Sequence, residues 1–427
     1  MTAFLRSFLW VKNMAGLVKH YQNSMKGIPQ LTNNWGAMIT LLDAVLITGF
    51  NHVPVLGLSK SSATAITATI NLSSGHGFID RQVVRITGST NGWDGDYKVL
   101  SVDTNTITVE CAAEHPFTLN GTATCFTAPL DFEIVHQTLS GSSQPKRAYR
   151  SKDPESLGLI LLVHDFCVSG AAATGAKFAK VGVVQSMSDI DTITGIQMPF
   201  DSSNPDANWG WDGTYHGWAK WYYAAANGGS LNTLVRDLEV PALTSKGFVI
   251  VGSSKEGFVL NVNTVALQVS IDVPVAYGFL EFFDSKLNSK NLVMLCFGVG
   301  AKYAQNTSFS ILARGAIVPF GTNTTTGALG SGNLKGFLWY DAEGAVQQTT
   351  LLKPPYLDVT TDTMILSDML LLDSAGVGRG VLPFLRTTTK ALNQSGFDSE
   401  FGKYANIFFN FNGAAAITRY ALLQETI

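Results

Sequence analysis

Short runs in which apolar and polar residues alternate dominate the chain between residues 56 and 128. They read ITATINL, QVVRITG, DYKVLSV and TITVEC, and Gly-rich and Asn-rich turns separate them. Alternation with period two, broken by turns about every eight to twelve residues, is typical of a small β-sandwich or barrel. Asn91-Gly92 and Asp94-Gly95 supply the positive-φ positions that tight turns need. We therefore predict an inserted β module over residues 56–128.

One segment ahead of this module has a helical pattern instead. Between Asn34 and Phe50, apolar residues recur at the spacing of a helix face. These residues are Trp35, Met38, Leu41, Leu42, Val45 and Leu46. Thr32 or Asn33 is expected to cap the helix, and Gly49 is expected to end it. Because its apolar stripe needs a surface to cover, we assign residues 1–55, an arm and this helix, to the main domain.

Beyond residue 128 the chain continues as apolar runs bounded by Gly, Asn, Ser and Pro. They include GLILLVHDF, AKFAKVGVV, GFVIVGSS, LVMLCFGVG and NIFFNFNG. Runs of this length with these boundaries are typical of strands. The sequence therefore predicts a mainly β protein with few helices, of the α+β class. Residues 129–427 form its large mixed β domain, which the small β module interrupts.

The composition points to surfaces that meet other proteins. Charged residues make up 14% of the chain, against about 25% in typical globular domains, and aromatic residues make up 11%. The cores of permanent interfaces are depleted of charge and enriched in aromatic residues. An ordinary large β domain with a thick core is the alternative explanation. The net charge of −3 lacks basic clusters, so we expect no nucleic-acid partner.

The segment WGWDGTYHGWAKWYYAAA concentrates aromatic side chains more than any other part of the sequence. Such a density could form a sugar platform, a core wedge or a contact between subunits. We favour the contact, because interfaces use Trp and Tyr as anchors and no second matched aromatic platform is evident. The candidate interface residues are Trp209, Trp211, Trp218, Trp221, Tyr222 and Tyr223.

Motifs that would carry chemistry are lacking. The nearest approach to a phosphate loop, GAAATGAK, has its Lys one place late and is followed by Phe178 rather than Ser or Thr. The seven histidines are scattered, and no HExxH pattern would hold zinc. His164-Asp165 is expected to be structural, and Asp189 and Asp191 are expected to cap a turn. We predict no catalytic residue, no cofactor and no metal.

Cysteine usage and the N-terminus bear on where the protein is made. Four cysteines without CxxC spacing, Cys111, Cys125, Cys167 and Cys296, indicate reduced thiols, with a Cys111–Cys125 bridge as the alternative. The apolar opening MTAFLRSFLWV is shorter than the roughly 20 residues that cross a bilayer. We expect neither a signal peptide nor a membrane span, and translation beginning at Met1 or Met14.

Several stretches resemble a family of virion proteins from the structural-gene regions of tailed bacteriophages. Before the module they read HYQNSMKGIPQL and LLDAVLITGFN, and after it LSGSSQPKRAYRSKDP, FAKVGVVQSMSDIDT, GWAKWYY and GRGVLPFL. Their shared order resembles that family across most of the chain, more loosely in the C-terminal third. Through GHGF, VVRITG and GDYKVLSV, the module resembles the immunoglobulin-like insertions of phage tail proteins.

This resemblance implies a structural role in the virion, after synthesis in the cytoplasm of the host bacterium. The expected partners are tail, baseplate or neck subunits and further copies of the chain, with fibres as proteins it could anchor. A capsid or neck decoration protein is the first alternative. The second is a tail protein that binds or depolymerises a host-surface glycan. No catalytic residue carries over from the resemblance.

Overall fold

The structure is a computed structural model that describes about two thirds of the chain. The described residues are 17–167, 172–195, 197–198, 219–224, 240–241, 245–262, 275–285, 287–297, 316–319, 334–336, 366–373, 378–388, 397–399, 402–410 and 417–425. Most of them lie in antiparallel strands, and short helices account for few. The prediction of a mainly β fold is therefore confirmed.

The first strands of the chain surround one helical segment. In order, the elements are β1 (Lys19–Gln22), α1 (Ala37–Leu42), a π-helical turn (Asp43–Thr48), β2 (Phe50–Pro54), β3 (Gly57–Lys60), β4 (Thr67–Asn71), β5 (Val83–Ser89), β6 (Gly95–Val102), β7 (Thr106–Glu110) and β8 (Gly121–Thr127). Strands β2 to β8 form one seven-stranded sheet in the order β2-β8-β5-β6-β7-β4-β3.

A second sheet follows directly. Its region contains β9 (Phe132–Gln137), β10 (Lys146–Ser151), β11 (Ile160–His164), β12 (Lys177–Val184), β13 (Met187–Asp189), β14 (Thr192–Ile193), β15 (Gln197–Met198) and β16 (Ala219–Ala224). Strands β9 to β12 pair in sequence, and both β15 and β16 pair with β12. The small β13–β14 hairpin stands outside this sheet as a separate pair.

The remaining strands extend a third sheet. They are β17 (Phe248–Ser253), β18 (Gly257–Val262), β19 (Val275–Asp284), β20 (Ser289–Phe297), β21 (Ala316–Pro319), β22 (Leu334–Gly336), β23 (Leu366–Asp373), β24 (Gly378–Thr388), β25 (Phe397–Ser399), β26 (Gly402–Asn410) and β27 (Ile417–Glu425). Strand β1 joins this sheet by pairing with β17. Residues from before and after the seven-stranded sheet therefore share one body.

The main core lies between the second and third sheets. Alternate residues of β10 to β12 face it, including Tyr149, Leu161 and Val181, and residues of β17 to β20 face it from the other side. The helical segment adds most of its apolar stripe, which includes Leu41 and Leu46, both fully buried. At about 25 cal/mol per Å² of apolar surface removed from water, this shared core is the principal stabilising feature of the body.

The seven-stranded sheet closes on itself as a barrel. Lys60 N–H donates to the carbonyl of Phe117 at 2.9 Å, and Leu119 N–H donates to the carbonyl of Leu58 at 3.0 Å. The outer edge of β3 therefore pairs with the segment that runs into β8. An immunoglobulin sandwich instead keeps two separate sheets. Of the two arrangements left open by the sequence, a sandwich or a barrel, this edge pairing favours the barrel.

The barrel encloses a core of its own. Its interior side chains include Trp93, Ile70 and Val99, all fully buried. Cys111 and Cys125 are both buried free thiols, so the alternative of a bridge between them is wrong. Burial raises the pKa of the Cys125 thiol well above its usual range. Both thiols are therefore packing groups, in agreement with the prediction of reduced cysteines.

The predicted helix is present but is shorter and capped differently. It begins at Ala37, continues as a π-helical turn and ends at Gly49 as expected. The residue preceding it is Gly36, with φ of 88°, and no side chain at that position caps it. Neither Thr32 nor Asn33 is the N-cap. The first helical N–H groups are instead bound by Asp165, which lies more than a hundred residues along the chain.

Gly49 is expected to tolerate no side chain. It has φ of 67°, and a Cβ atom there would lie 2.3 Å from the Thr127 carbonyl oxygen and 2.6 Å from the Phe126 ring. We expect Gly49→Ala to lower the free energy of unfolding by about 2 kcal/mol, since it adds a clash to the cost of positive φ. Chemical denaturation measures this loss.

Gly92 provides the matched control for this substitution. Its φ is 91°, but nothing lies within 4 Å of an added Cβ atom. Gly92→Ala should therefore cost only the backbone strain, about 1 kcal/mol. Equal losses for the two variants would contradict the close approach of β8 to the helix end.

Candidate functional site

The junction between barrel and body is the most elaborate polar site among the described residues. The chain enters the barrel after Gly49 and leaves it at Ala128, whose carbonyl accepts a hydrogen bond from the buried Tyr21 hydroxyl at 2.7 Å. Beside them, the Gln82 amide donates to the Thr127 hydroxyl at 2.6 Å, while its oxygen accepts from Ile79 N–H at 3.1 Å. These buried contacts fix the connection by which the chain leaves the barrel.

Four charged side chains cross the junction as a closed cluster. The barrel supplies Arg85 and Asp96, which face each other in the β5–β6 hairpin, and the body supplies Lys19 and Asp131. Arg85 donates to Asp96 at 2.5 and 2.9 Å and to Asp131 at 2.7 and 2.6 Å. The Lys19 ammonium lies 2.6 Å from Asp96 and 3.5 Å from Asp131. Each cation thus bridges barrel and body.

The four side chains of the cluster are largely shielded from solvent. Burial alone would raise the pKa of Asp131, but the hydrogen bonds from Arg85 and the charge of Lys19 hold it below its usual value. Burial alone would lower the pKa of Arg85, but the carboxylates of Asp131 and Asp96 raise it above its usual value. Bidentate guanidinium–carboxylate pairs are among the stronger charged hydrogen bonds. The geometry therefore favours one fixed orientation of the barrel.

A cleft of about 430 Å³ lies against this cluster. Its walls combine the ionic side chains with Ile86, Thr87 and Leu17. All four charges are already paired with one another. The cleft therefore marks where the barrel meets the body, and its lining groups serve to hold the two together.

Arg85→Ala is expected to lower the free energy of unfolding by about 2 kcal/mol. It removes four charged hydrogen bonds and leaves Lys19 as the cation shared by Asp96 and Asp131. Hydrogen bonds to charged groups contribute about 1.5–3 kcal/mol each before solvent screening is deducted. Arg150→Ala is the matched control, since its pair with Glu133 has side chains 42% and 41% exposed. That loss should be within about 1 kcal/mol. Equal losses in urea denaturation would contradict a special role for the junction.

The structure places the predicted aromatic site residues in two groups. Trp209, Trp211 and Trp218 lie outside the described residues. Trp221 and Tyr223 lie on β16 and are fully buried in the main core, while Tyr222 between them is half-buried. For Trp221 and Tyr223 the interface prediction is corrected to a core role, because no part of either side chain reaches the surface.

Trp221 fills the space between the second and third sheets. Its ring stacks on Tyr277 with centroids 5.3 Å apart and meets the edge of Phe258 at 6.2 Å. Tyr277 also donates from its hydroxyl to the Tyr222 carbonyl at 3.1 Å. Of the three roles considered for the aromatic segment, the core wedge is therefore the one that Trp221 has.

Asp165 joins the helical segment to the core. Its buried carboxylate caps the start of the helix, a role that the sequence did not predict. Its Oδ2 accepts from the N–H groups of Met38 at 2.9 Å and Ile39 at 3.2 Å. The Tyr223 hydroxyl lies 2.6 Å from its Oδ1 and 3.1 Å from the Asn34 carbonyl oxygen. Burial raises the pKa of Asp165 to about 6, although these donors oppose the shift. The expectation that His164-Asp165 is structural agrees with this geometry.

The other residues considered for chemistry have structural contacts. Asp189 accepts from Asp191 N–H at 2.8 Å, the turn contact predicted for this pair. No group of three His, Cys, Asp or Glu side chains within the described residues is arranged to hold a metal ion. Among the same residues, no helix is long and apolar enough to cross a bilayer.

Sequence reasoning missed the junction cluster. Arg85 and Asp96 stand opposite each other in the predicted hairpin, so their pairing could have been found by counting outward from the turn. The positions of Lys19 and Asp131 have no such local signal, because they come together with the barrel only through the fold.

No family model matches the chain, and no curated protein matches it.

Proposed function

We propose that this chain is a structural component of a tailed-bacteriophage particle, associated with the tail or baseplate and without a catalytic site of its own. Its partners in this proposal are other virion proteins and copies of itself. The observation that carries the proposal is the fixed junction, which holds a closed barrel on a large β body through four charges and buried hydrogen bonds where the chain leaves the barrel.

A fixed junction suits a part that positions its neighbours. Interfaces between domains of one chain ordinarily allow relative motion unless they are extensive or well bonded. Here Lys19 and Arg85 each contact one carboxylate of the barrel and one of the body. The barrel is therefore presented in a defined direction, as an assembly with repeated contacts requires.

Barrel closure also fits a protein present in many copies at close quarters. An open sheet edge exposes unpaired N–H and C=O groups that pair with other chains. Pairing of β3 with residues 117–119 removes that edge. Contacts to neighbours are then made by side chains, which select their partner more sharply than a backbone edge does.

The composition supports the same proposal. With 14% charged and 11% aromatic residues, the chain has little charge to cover a solvated surface. Trp209, Trp211 and Trp218 stay the proposed contact residues of the aromatic segment. Their burial against a neighbour would contribute about 25 cal/mol per Å² before the cost of association is deducted.

A nonsense codon in the gene tests this role. We expect a phage that carries it to yield no complete infectious particles in a non-suppressing host, and electron microscopy to show particles lacking part of the tail. Wild-type protein supplied from a plasmid should restore both yield and morphology. Normal particles from the unsuppressed mutant would contradict a structural role in assembly.

A further inference from the structure

The second sheet has an outer face that the main core does not cover. Ala148, Ile160 and Leu162 point to this face, and the β13–β14 hairpin packs on them through Met187 and Ile193. The hairpin is tied down at one end by an ion pair between Lys146 and Asp191 and at the other by His136, whose Nε2 donates to the Met187 carbonyl at 3.3 Å. It covers part of the face.

A pocket of about 430 Å³ remains beside the hairpin on this face. Small-molecule sites usually have volumes of about 300–1,000 Å³ and combine an apolar floor with a few converging polar groups. Here the floor is aliphatic and includes Ile160 and Val135, while Glu133, Arg150 and Ser186 stand on the rim. The volume lies within that range, and the lining combines apolar and polar groups.

The polar rim has a defined chemistry. Arg150 and Glu133 are directly opposite in the β9–β10 register, and Arg150 donates to Glu133 Oε1 from Nε at 2.8 Å and from Nη2 at 2.6 Å. Both side chains are about two fifths exposed, so donor and acceptor groups stand side by side at the pocket. The charges of this pair cancel, which disfavours a charged ligand.

We propose that this pocket binds a small uncharged ligand with adjacent hydroxyl groups, such as a single sugar ring. One hydroxyl of such a pair donates to the Glu133 carboxylate while its neighbour accepts from the Arg150 guanidinium. The Ser186 hydroxyl offers a third contact, and the ring's C–H face lies on Ile160 and Val135. The pocket is independent of the fixed junction and of any role in a phage particle.

Ligand-observed saturation-transfer NMR on the full chain tests this site. The probes are D-glucose, D-galactose, D-mannose and N-acetyl-D-glucosamine, each titrated separately. We expect at least one of them to receive saturation from the protein with millimolar affinity, and Glu133→Gln and Arg150→Gln each to weaken it about tenfold or more, as loss of a hydrogen bond to a charged group does. Failure of all four sugars to bind would overturn the proposal.

Arg81→Gln on the barrel is the matched control. Like Arg150, Arg81 belongs to a partly exposed ion pair, with Asp80 at 3.5 Å, but it does not line the pocket. It should leave sugar binding unchanged. Equal weakening by Arg81→Gln and Arg150→Gln would overturn the assignment to this pocket. Because both pairs are partly exposed, all these variants are expected to fold, and their thermal unfolding curves verify that.

Discussion

Trp221→Ala is expected to lower the free energy of unfolding by about 3–5 kcal/mol, the range for truncating a buried Trp. The substitution removes the ring that stacks on Tyr277 and leaves a cavity between two sheets. Neither sheet can close over it without moving the other. Chemical denaturation followed by tryptophan fluorescence and circular dichroism measures the loss.

Tyr222→Ala is the natural comparison, because this neighbour on β16 is only half-buried and packs against Phe178 at the edge of the core. We expect its loss to be smaller, about 1–2 kcal/mol. A Trp221→Ala protein that keeps its stability and loses only its contacts with other subunits would contradict the core role and restore the interface prediction for this residue.

The stability of the protein is expected to fall by about 3 kcal/mol relative to an Asp165→Asn variant as pH rises from about 3 to 7. The pKa of Asp165 rises from 3.8 to about 6 on folding, and each unit corresponds to about 1.4 kcal/mol. A raised pKa means that the folded state binds the proton more tightly than the unfolded state. Its contribution is thus fully present only below about pH 3 and is lost as pH rises through about 6.

Asp165→Asn should keep the geometry of the cap. The Asn oxygen can accept from Met38 and Ile39 N–H, its amide can donate to the Tyr223 hydroxyl, and that hydroxyl then donates to the Asn34 carbonyl. Asp165→Ala, which loses these contacts, should be less stable than Asp165→Asn at every pH. Urea denaturation across the range gives the comparison. A difference between wild type and Asp165→Asn that does not change with pH would contradict the raised pKa.

The β module is the part of the fold that the sequence predicts most directly. Its alternating runs correspond to strands β4 to β7, because one side of each strand faces a closed core and the other faces solvent. Closure itself has no local pattern. It depends on the pairing of Leu58 and Lys60 with residues 117–119, which are nearly sixty positions later.

The helical segment shows the same division between local and distant effects. The apolar spacing identifies its buried face and Gly49 its end, since both depend on neighbours along the chain. The cap does not. Asp165 reaches Met38 only after β11 is in place, so a sequence search among adjacent Ser, Thr, Asn and Asp residues selects Thr32 or Asn33 instead.

The aromatic segment marks the limit of what composition can distinguish. Cores and interfaces both select Trp and Tyr, because both remove large rings from water. Trp221 and Tyr223 are separated from the surface by the packing of two sheets, which no local pattern records. The polar pocket was missed for a related reason, since Glu133 and Arg150 meet only through the β9–β10 register.

Mass spectrometry of purified, nuclease-treated phage particles tests the proposed virion role most directly. The amount of this chain is measured against the tail-tube and major capsid proteins of the same particles. We predict that it is present at a few to a few dozen copies per particle, as a tail or baseplate component. Hundreds of copies would place it on the capsid instead, and its absence from the particles would contradict the virion role.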